Sequence, residues 1–503
     1  MKVAILGSGA SAIAVLHALQ KWAPKLEVTV FDIGARLDKA MSTSLHPSNW
    51  TPDYFKELYL KIKADHGLRF PPPKTHFGES LPRYLVGKSE RIFRSELRGG
   101  LTNFWGGTML PFVEKDLIKW PFKVETLHPY YKEIADLVGI SGRRDALNQY
   151  FPEEFSNRPP LRPTNVLAKL DKTVNSHRSD GDYDVISGIN RLCLETREGY
   201  ANTCVYCGEC MSGCFAGAIY NAKNTLDLYV KSHFLKNYIL GKVLSVDPHD
   251  RSILLHTKHG NVRYRGFSKV FVCAGCAGTT EIVIRSMNLG KSNKMVDNAV
   301  YVFPIMYLGK LDIKAFDEPY FALSNLIFGC VPRKPGLHFA QVQVYPTFDY
   351  LLRYYLPFGL WSYFKSVATS LRARLFWGRL YVHSNESQAY SFSINCQGQP
   401  VLDIAHGVGD RTTVHNIIKS IRNCVNRDGF YLPPVPPILQ KTSSHYASTL
   451  PYGGHLIEVK PNGEVMPGVY ICDSSCFPES PAVSPTFTIM ANACRTAREA
   501  VDD

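Results

Sequence analysis

Apolar positions along the chain fall into short solid runs and wider helical stripes. "KVAIL" (2 to 6) is an unbroken buried-strand pattern, and "GSGASAIAVLHALQKW" continues as a turn and an apolar-faced helix. "LEVTVFD" (26 to 32) supplies a second strand, so a β-α-β unit closes early in the chain. Later, "YDVISGINRLCLE", "GKVLSVD", "SILLHT" and "KVFVCAG" alternate or run apolar as strands do. Residues 40 to 95 are rich in Pro, His and aromatics with weak periodicity and read as an extended excursion. The chain then ends on a strand followed by a helix. No internal repeat is visible. The simplest assembly is an N-terminal Rossmann half interrupted by a second domain, with the C-terminal segment returning to the first.

Composition narrows this picture. A chain of 503 residues favours two intimate domains over one core. No apolar stretch is long and charge-free enough to span a bilayer. The N-terminus has a weak signal-peptide look, but its glycines favour a folded strand. A net charge of +13 points either to an anionic partner or to a solvated basic surface, and the second is the commoner case. Thirteen cysteines, an odd number with several inside core strands, do not form a secreted disulfide pattern. They suggest a reducing compartment, so a cytoplasmic location is expected.

The first chemical motif follows the first strand. Gly7-Ser8-Gly9-Ala10-Ser11-Ala12 fits G-x-G-x-x-G/A at a helix start. Gly7 permits the tight turn, Gly9 lets a pyrophosphate reach backbone N–H groups, and Ala12 keeps helix and sheet close. Asp32 ends the second strand, where a carboxylate can accept ribose hydroxyls. A ligand-free strand–helix turn would account for the glycines but not the acid. These residues leave NAD and FAD both open.

A second segment separates them. "RGGLTNFWGGTMLPF" (98 to 112) sets paired glycines around Thr102, Asn103 and Trp105, which lets backbone lie flat against a planar ligand. Together with "KVFVCAGCAGTTEIVIRS" (269 to 286) and "GVYICDSSCFPESPAVSPTFTIMANACRTAREAV" (468 to 501), the chain resembles the glucose–methanol–choline family of FAD-dependent oxidoreductases. The resemblance covers both ends and the middle, while 40 to 90 and 300 to 440 match little. It implies a mixed α/β fold, with a Rossmann-type FAD-binding domain interleaved with an antiparallel-sheet substrate domain. The FAD domain would comprise 1–40, 85–120, 190–290 and 440–503. Residues 41–84 and 121–189 would be lid or connecting segments, and 291–439 the substrate domain. Carried over by position, Gly100, Thr102, Asn103, Trp105, Gly106 and Gly107 would lie along the flavin. Gly275 would line the adenosine side, Val243 would meet adenine, and Asp473 the ribityl or pyrophosphate region. Pro485, Thr486, Phe487 and Thr488 would lie near the pyrimidine edge. No His occurs in 98 to 112, so non-covalent FAD is expected.

The same resemblance locates a catalytic pair. "SHYASTLPYGG" fits the family's H-x4-T-x3-G segment, with His445, Thr449 and Gly453 in register. An imidazole titrating near working pH suits the removal of a hydroxyl proton while hydride leaves for flavin. A hydrogen-bonded structural histidine is the plainer alternative. The partner position, usually Asn or His before a Pro, is Ser484 here. Serine can donate to a substrate oxygen but cannot replace an imidazole as base. That departure also motivates an alternative function, a flavin-binding electron-transfer or assembly protein without alcohol chemistry. A NAD-linked reductase is a third reading. The leading expectation is an FAD-dependent enzyme oxidising a hydroxyl of an alcohol or sugar.

Two features stand outside this frame. Cys204, Cys207, Cys210 and Cys214 have the C-x2-C-x2-C-x3-C spacing of iron–sulfur ligands, with Cys193 nearby as a spare. Phe215 follows where ferredoxins place Pro. Zinc would accept the same thiols, although its C-x2-C pairs usually stand apart, and four cysteines within 11 residues exceed what packing requires. Some bacterial membrane-bound members of the family hold a three-iron cluster here that passes electrons to an acceptor. From Tyr350 to Leu380 the chain carries nine aromatic and five basic residues and no acid. Leu360, Phe364, Val367, Leu371 and Leu375 would form one helical stripe, with Lys365, Arg372 and Arg379 beside it. Such a helix suits an anionic membrane surface on the cytoplasmic face and a lipid-linked or long-chain substrate. A core helix with a solvated basic edge is the alternative. Nucleic acid is not expected, since no recognition motif accompanies the charge.

Overall fold

The computed structural model describes residues 1–34, 83–86, 90–177, 179–208, 210, 214, 216–316, 318–348, 352, 361–407, 409, 411–440 and 443–502. Most of the expected lid at 41–84, and residues 350–360 of the aromatic insert apart from 352, lie outside them.

Solid apolar runs become the centre of a six-stranded sheet. Its order is Glu464–Met466, Val469–Ile471, Lys269–Val272, Lys2–Leu6, Glu27–Asp32, Leu235–Leu240. All neighbours are parallel except the first pair. Strands buried on both faces have no polar face to alternate, which is why "KVAIL" and "KVFV" read as continuous runs. The first helix, Ala10–Trp22, packs along the final one, Thr486–Asp502. Small residues are buried on each at one-face spacing (Ala14 and Ala18; Ala493, Ala497 and Ala500), which suits a close approach. The two chain ends thus form one layer over the sheet.

The second domain is an antiparallel sheet. Its order is Phe430–Tyr431, Val300–Tyr307, Leu375–Tyr381, Ala340–Pro346, Leu326–Pro332, Tyr183–Ile189, with Ile438–Gln440 also paired to Val300–Tyr307. One face, carrying Val342, Val344, Phe376 and Leu380, joins a core with helices Asn165–Ser176 and Thr412–Val425. The other presents Gln343, Tyr345, Arg379 and Tyr381 to the Rossmann half. Within 121–189, helix His128–Val138 packs on the final helix and strand Tyr183–Ile189 closes this sheet's edge.

The aromatic insert differs from its expected form. A helix spans Trp361–Arg374, but Leu375 and Arg379 lie on strand Leu375–Tyr381 rather than on its stripe. "LFWGRLY" alternates with period two, and pairing on both sides holds it extended. The cations are also placed differently. Arg372 bonds the Phe316 carbonyl and stacks on Tyr320, while Arg374 donates to the carbonyls of Tyr307 and Gly309. No helix among the described residues is long and apolar enough to cross a membrane.

Candidate active site

The carboxyl ends of the parallel strands open into a cavity of about 460 Å³ that runs between the two domains. Gly7 starts it. Its φ is +109°, and a Cβ there would lie 2.4 Å from the Cys273 carbonyl, so only glycine fits this crossing. A Cβ on Gly9 would meet nothing within 4 Å, since that side of the turn faces the cavity. The first helix opens there without a side-chain cap or an acid in its first turn. Its amide end is therefore available to an anion. Gly100 closes over this turn: a Cβ on it would come 3.2 Å from Gly9 Cα.

Asp32 lies at the end of the second strand. Its Oδ2 accepts from Ser8 Oγ at 2.5 Å and Tyr238 Oη at 2.6 Å. Burial raises its pKa, and these two donors oppose the rise. Ser8 in turn accepts from the Gly99 amide, tying the paired-glycine segment to the nucleotide end. An uncapped helix start, a glycine-only crossing and a terminal carboxylate together fit a dinucleotide.

Gly7, Gly9, Ala10, Ser11, Asp32, Gly100, Thr102, Trp105, Gly106, Gly107, Val243, Gly275, Asp473, Pro485 and Thr486 all line this cavity, as do His445 and Ser484. Ala12, Asn103, Phe487 and Thr488 do not. Asn103 donates inward to the carbonyls of Arg98 and Gly100. Thr488 is buried on Tyr131 Oη at 2.7 Å and serves packing. Asp473 reaches the wall with its carboxylate engaged: Oδ2 accepts from Thr279, and Oδ1 from the amide and hydroxyl of Ser475.

His445 occupies the opposite wall. Its Nδ1 lies 3.0 Å from Asn298 Oδ1. The Asn298 amide donates through Nδ2 to the carbonyls of Val382, Ser480 and Pro481, so its oxygen is the acceptor. The imidazole proton must then sit on Nδ1, which leaves Nε2 with a free lone pair. Nε2 makes no hydrogen bond among the described residues. Asp297 holds the loop, accepting from the Ser443 and His445 amides, and Tyr381 stacks on the ring at 5.3 Å. Burial, aided by the Arg379 charge, lowers the His445 pKa to about 3. The ring is thus neutral well below the range expected from sequence. Ser484 Oγ accepts from Gln343 Nε2 at 3.1 Å, and Gln343 Oε1 accepts from Tyr345 Oη.

Asn298, Asp297, Gln343, Arg379 and Tyr381 are not legible in the sequence as site residues. They lie on the substrate sheet or its approaches, where no motif marks them. The alternating polar positions of "AQVQVYP" are the available signal.

Cys204, Cys207, Cys210 and Cys214 line one small apolar cavity of about 10 Å³, room for roughly one water. The Ala218 amide donates to Cys214 Sγ at 3.2 Å. Burial raises the Cys204 thiol to about 11. Among the described residues no group of three or more His, Cys, Asp or Glu side chains is arranged to hold a metal ion. The thiols converge without closing a ligand sphere. Cys193 is buried apart from them in the Rossmann core.

No protein-family model matches the sequence, and no curated protein matches it in sequence. Solved structures do match over their full length. Pyridoxine 4-oxidase from Mesorbium loti superposes with a TM-score of 0.65 at 14% identity, over 100% of this chain and 99% of that one. The chain has the fold of the glucose–methanol–choline oxidoreductases. An FAD-dependent oxidoreductase from Chaetomium thermophilum shares this fold with a TM-score of 0.61 at 12% identity, covering 99% and 98%. A formate oxidase variant from Aspergillus oryzae RIB40 gives 0.61 at 13%, again covering 99% and 98%. The glucose–methanol–choline fold thus extends through 300 to 440, where sequence resemblance fades.

Proposed function

We propose that the protein is an FAD-dependent oxidoreductase that removes a hydride and a proton from a carbinol group of an alcohol or sugar. The observation that carries this reading is the bond from His445 Nδ1 to Asn298 Oδ1: it places the ring proton on Nδ1 and leaves Nε2 as the acceptor of a side chain that lines the cavity. FAD, when bound, supplies the acceptor for the hydride leaving the carbinol carbon. Gly7 to Ser11 would hold its pyrophosphate, Asp32 its ribose, and the 100–107 segment its ring. His445 Nε2 takes the hydroxyl proton, for which the neutral ring offers its free lone pair. Ser484, its hydroxyl hydrogen directed away from Gln343 by the bond it accepts, orients the substrate oxygen. Anaerobic titration of the coloured protein with alcohols and sugars tests the reading. His445→Ala is expected to slow substrate-dependent bleaching at least about a hundredfold. Near-normal bleaching by that variant removes the assignment.

The cysteine segment carries a second, separable reading. The C-x2-C-x2-C-x3-C spacing of Cys204, Cys207, Cys210 and Cys214 supports an iron–sulfur cluster as an additional cofactor, although the cavity of about 10 Å³ that they share has no room for one as it stands. Protein purified without oxygen should then contain iron and acid-labile sulfide. Active protein lacking both leaves the thiols as packing.

A further inference from the structure

Arg379 sits in the middle of its strand, opposite Gln343 on one side and Val302 on the other. Its side chain lies deep among protein groups, and the surface it retains faces the cavity that holds His445. The guanidinium has polar and aromatic neighbours but no counter-charge. Nη2 donates to Gln440 Oε1 at 3.2 Å, and Cζ lies 5.3 Å and 5.9 Å from the Tyr381 and Tyr345 rings. Nε is buried without a hydrogen-bond partner, and no carboxylate among the described residues pairs with it. A charge so placed is costly unless something else completes it. Elsewhere the same fold gives a buried arginine its carboxylate: Arg191 meets Asp145 through both Nη atoms.

We propose that Arg379 receives an anionic oxygen group of the substrate, so that the alcohol oxidised here carries a carboxylate or a phosphate. This rests on the cavity being the alcohol-oxidising site. The planar fork of arginine matches both groups, and no carboxylate among the described residues competes for its charge. A second consequence concerns His445. The Arg379 charge opposes formation of an imidazolium beside it. An anion seated on Arg379 offsets that part of the opposition, burial being the larger part, so the group that is recognised also eases proton transfer to the ring. A neutral alcohol would bind without this help and react slowly.

Calorimetric titration of the holoenzyme with non-oxidisable probes tests the proposal: benzoate, inorganic phosphate and neutral benzamide. At least one anion is expected to bind, and the stronger of the two identifies the group. Arg379→Gln should weaken that anion about 10- to 100-fold and leave benzamide unchanged. Arg379→Lys, which keeps the charge and loses the fork, should fall between and covers a folding failure of the glutamine variant. No binding by either anion, or an anion affinity untouched by both variants, overturns the proposal. Bleaching by neutral alcohols separates the two ideas. Bound flavin reduced equally by wild type and R379Q, with unchanged anion binding, ends the substrate assignment and leaves the flavoenzyme standing. Colourless protein that still binds anions through Arg379 ends the flavoenzyme reading and leaves an anion site without an assigned reaction.

Discussion

At the scale of single residues, the site is set by what each side chain's neighbours forbid. Asn298 spends its amide hydrogens on three carbonyls and can offer His445 only an oxygen. The buried, neutral ring has a consequence for acid stability. The unfolded chain takes up a proton on this histidine near pH 6.5, whereas the folded chain resists until about 3. Between those values the unfolded state binds more protons, so stability rises with pH and falls on acidification. His445→Gln should therefore lose about 1–2 kcal/mol less than wild type between pH 6.5 and 5, read by urea unfolding at the two pH values. An equal loss in both proteins would place the ring in a wetter setting than this.

At the scale of elements, the strand–turn–helix at the N-terminus is a backbone device. Gly7→Ala must push a Cβ into the Cys273 carbonyl at a φ of +109°. The expected result is about 2 kcal/mol of lost stability and protein purified without colour, seen by melting and absorbance. Such elements are readable in advance because steric rules leave few residues that can occupy them. The two N-terminal strands, the first helix and the final helix all stand where apolar period and glycine placement put them. The 375–380 stretch defeats a helical reading because Leu371 and Leu375 continue a four-residue spacing, while pairing to two neighbouring strands decides the backbone. The substrate face is unreadable for a related cause. Gln343 and Arg379 meet across a strand pair 36 positions apart, in the register Gln343↔Arg379, and nothing local marks either.

At the scale of the whole molecule, the last helix is structural before it is functional. Eleven of its 17 residues are buried, many against the first helix. A chain ending at 485 should leave the first helix without the partner it packs on and be recovered insoluble or without a cooperative melt. Retention of soluble, folded, coloured protein would show that the first helix needs no such partner.

Gly100 is seated over Gly9. A side chain at 100, where φ is +60°, would wedge the two turns apart, so Gly100→Ala should purify with less bound colour than wild type at the same protein concentration, read by absorbance.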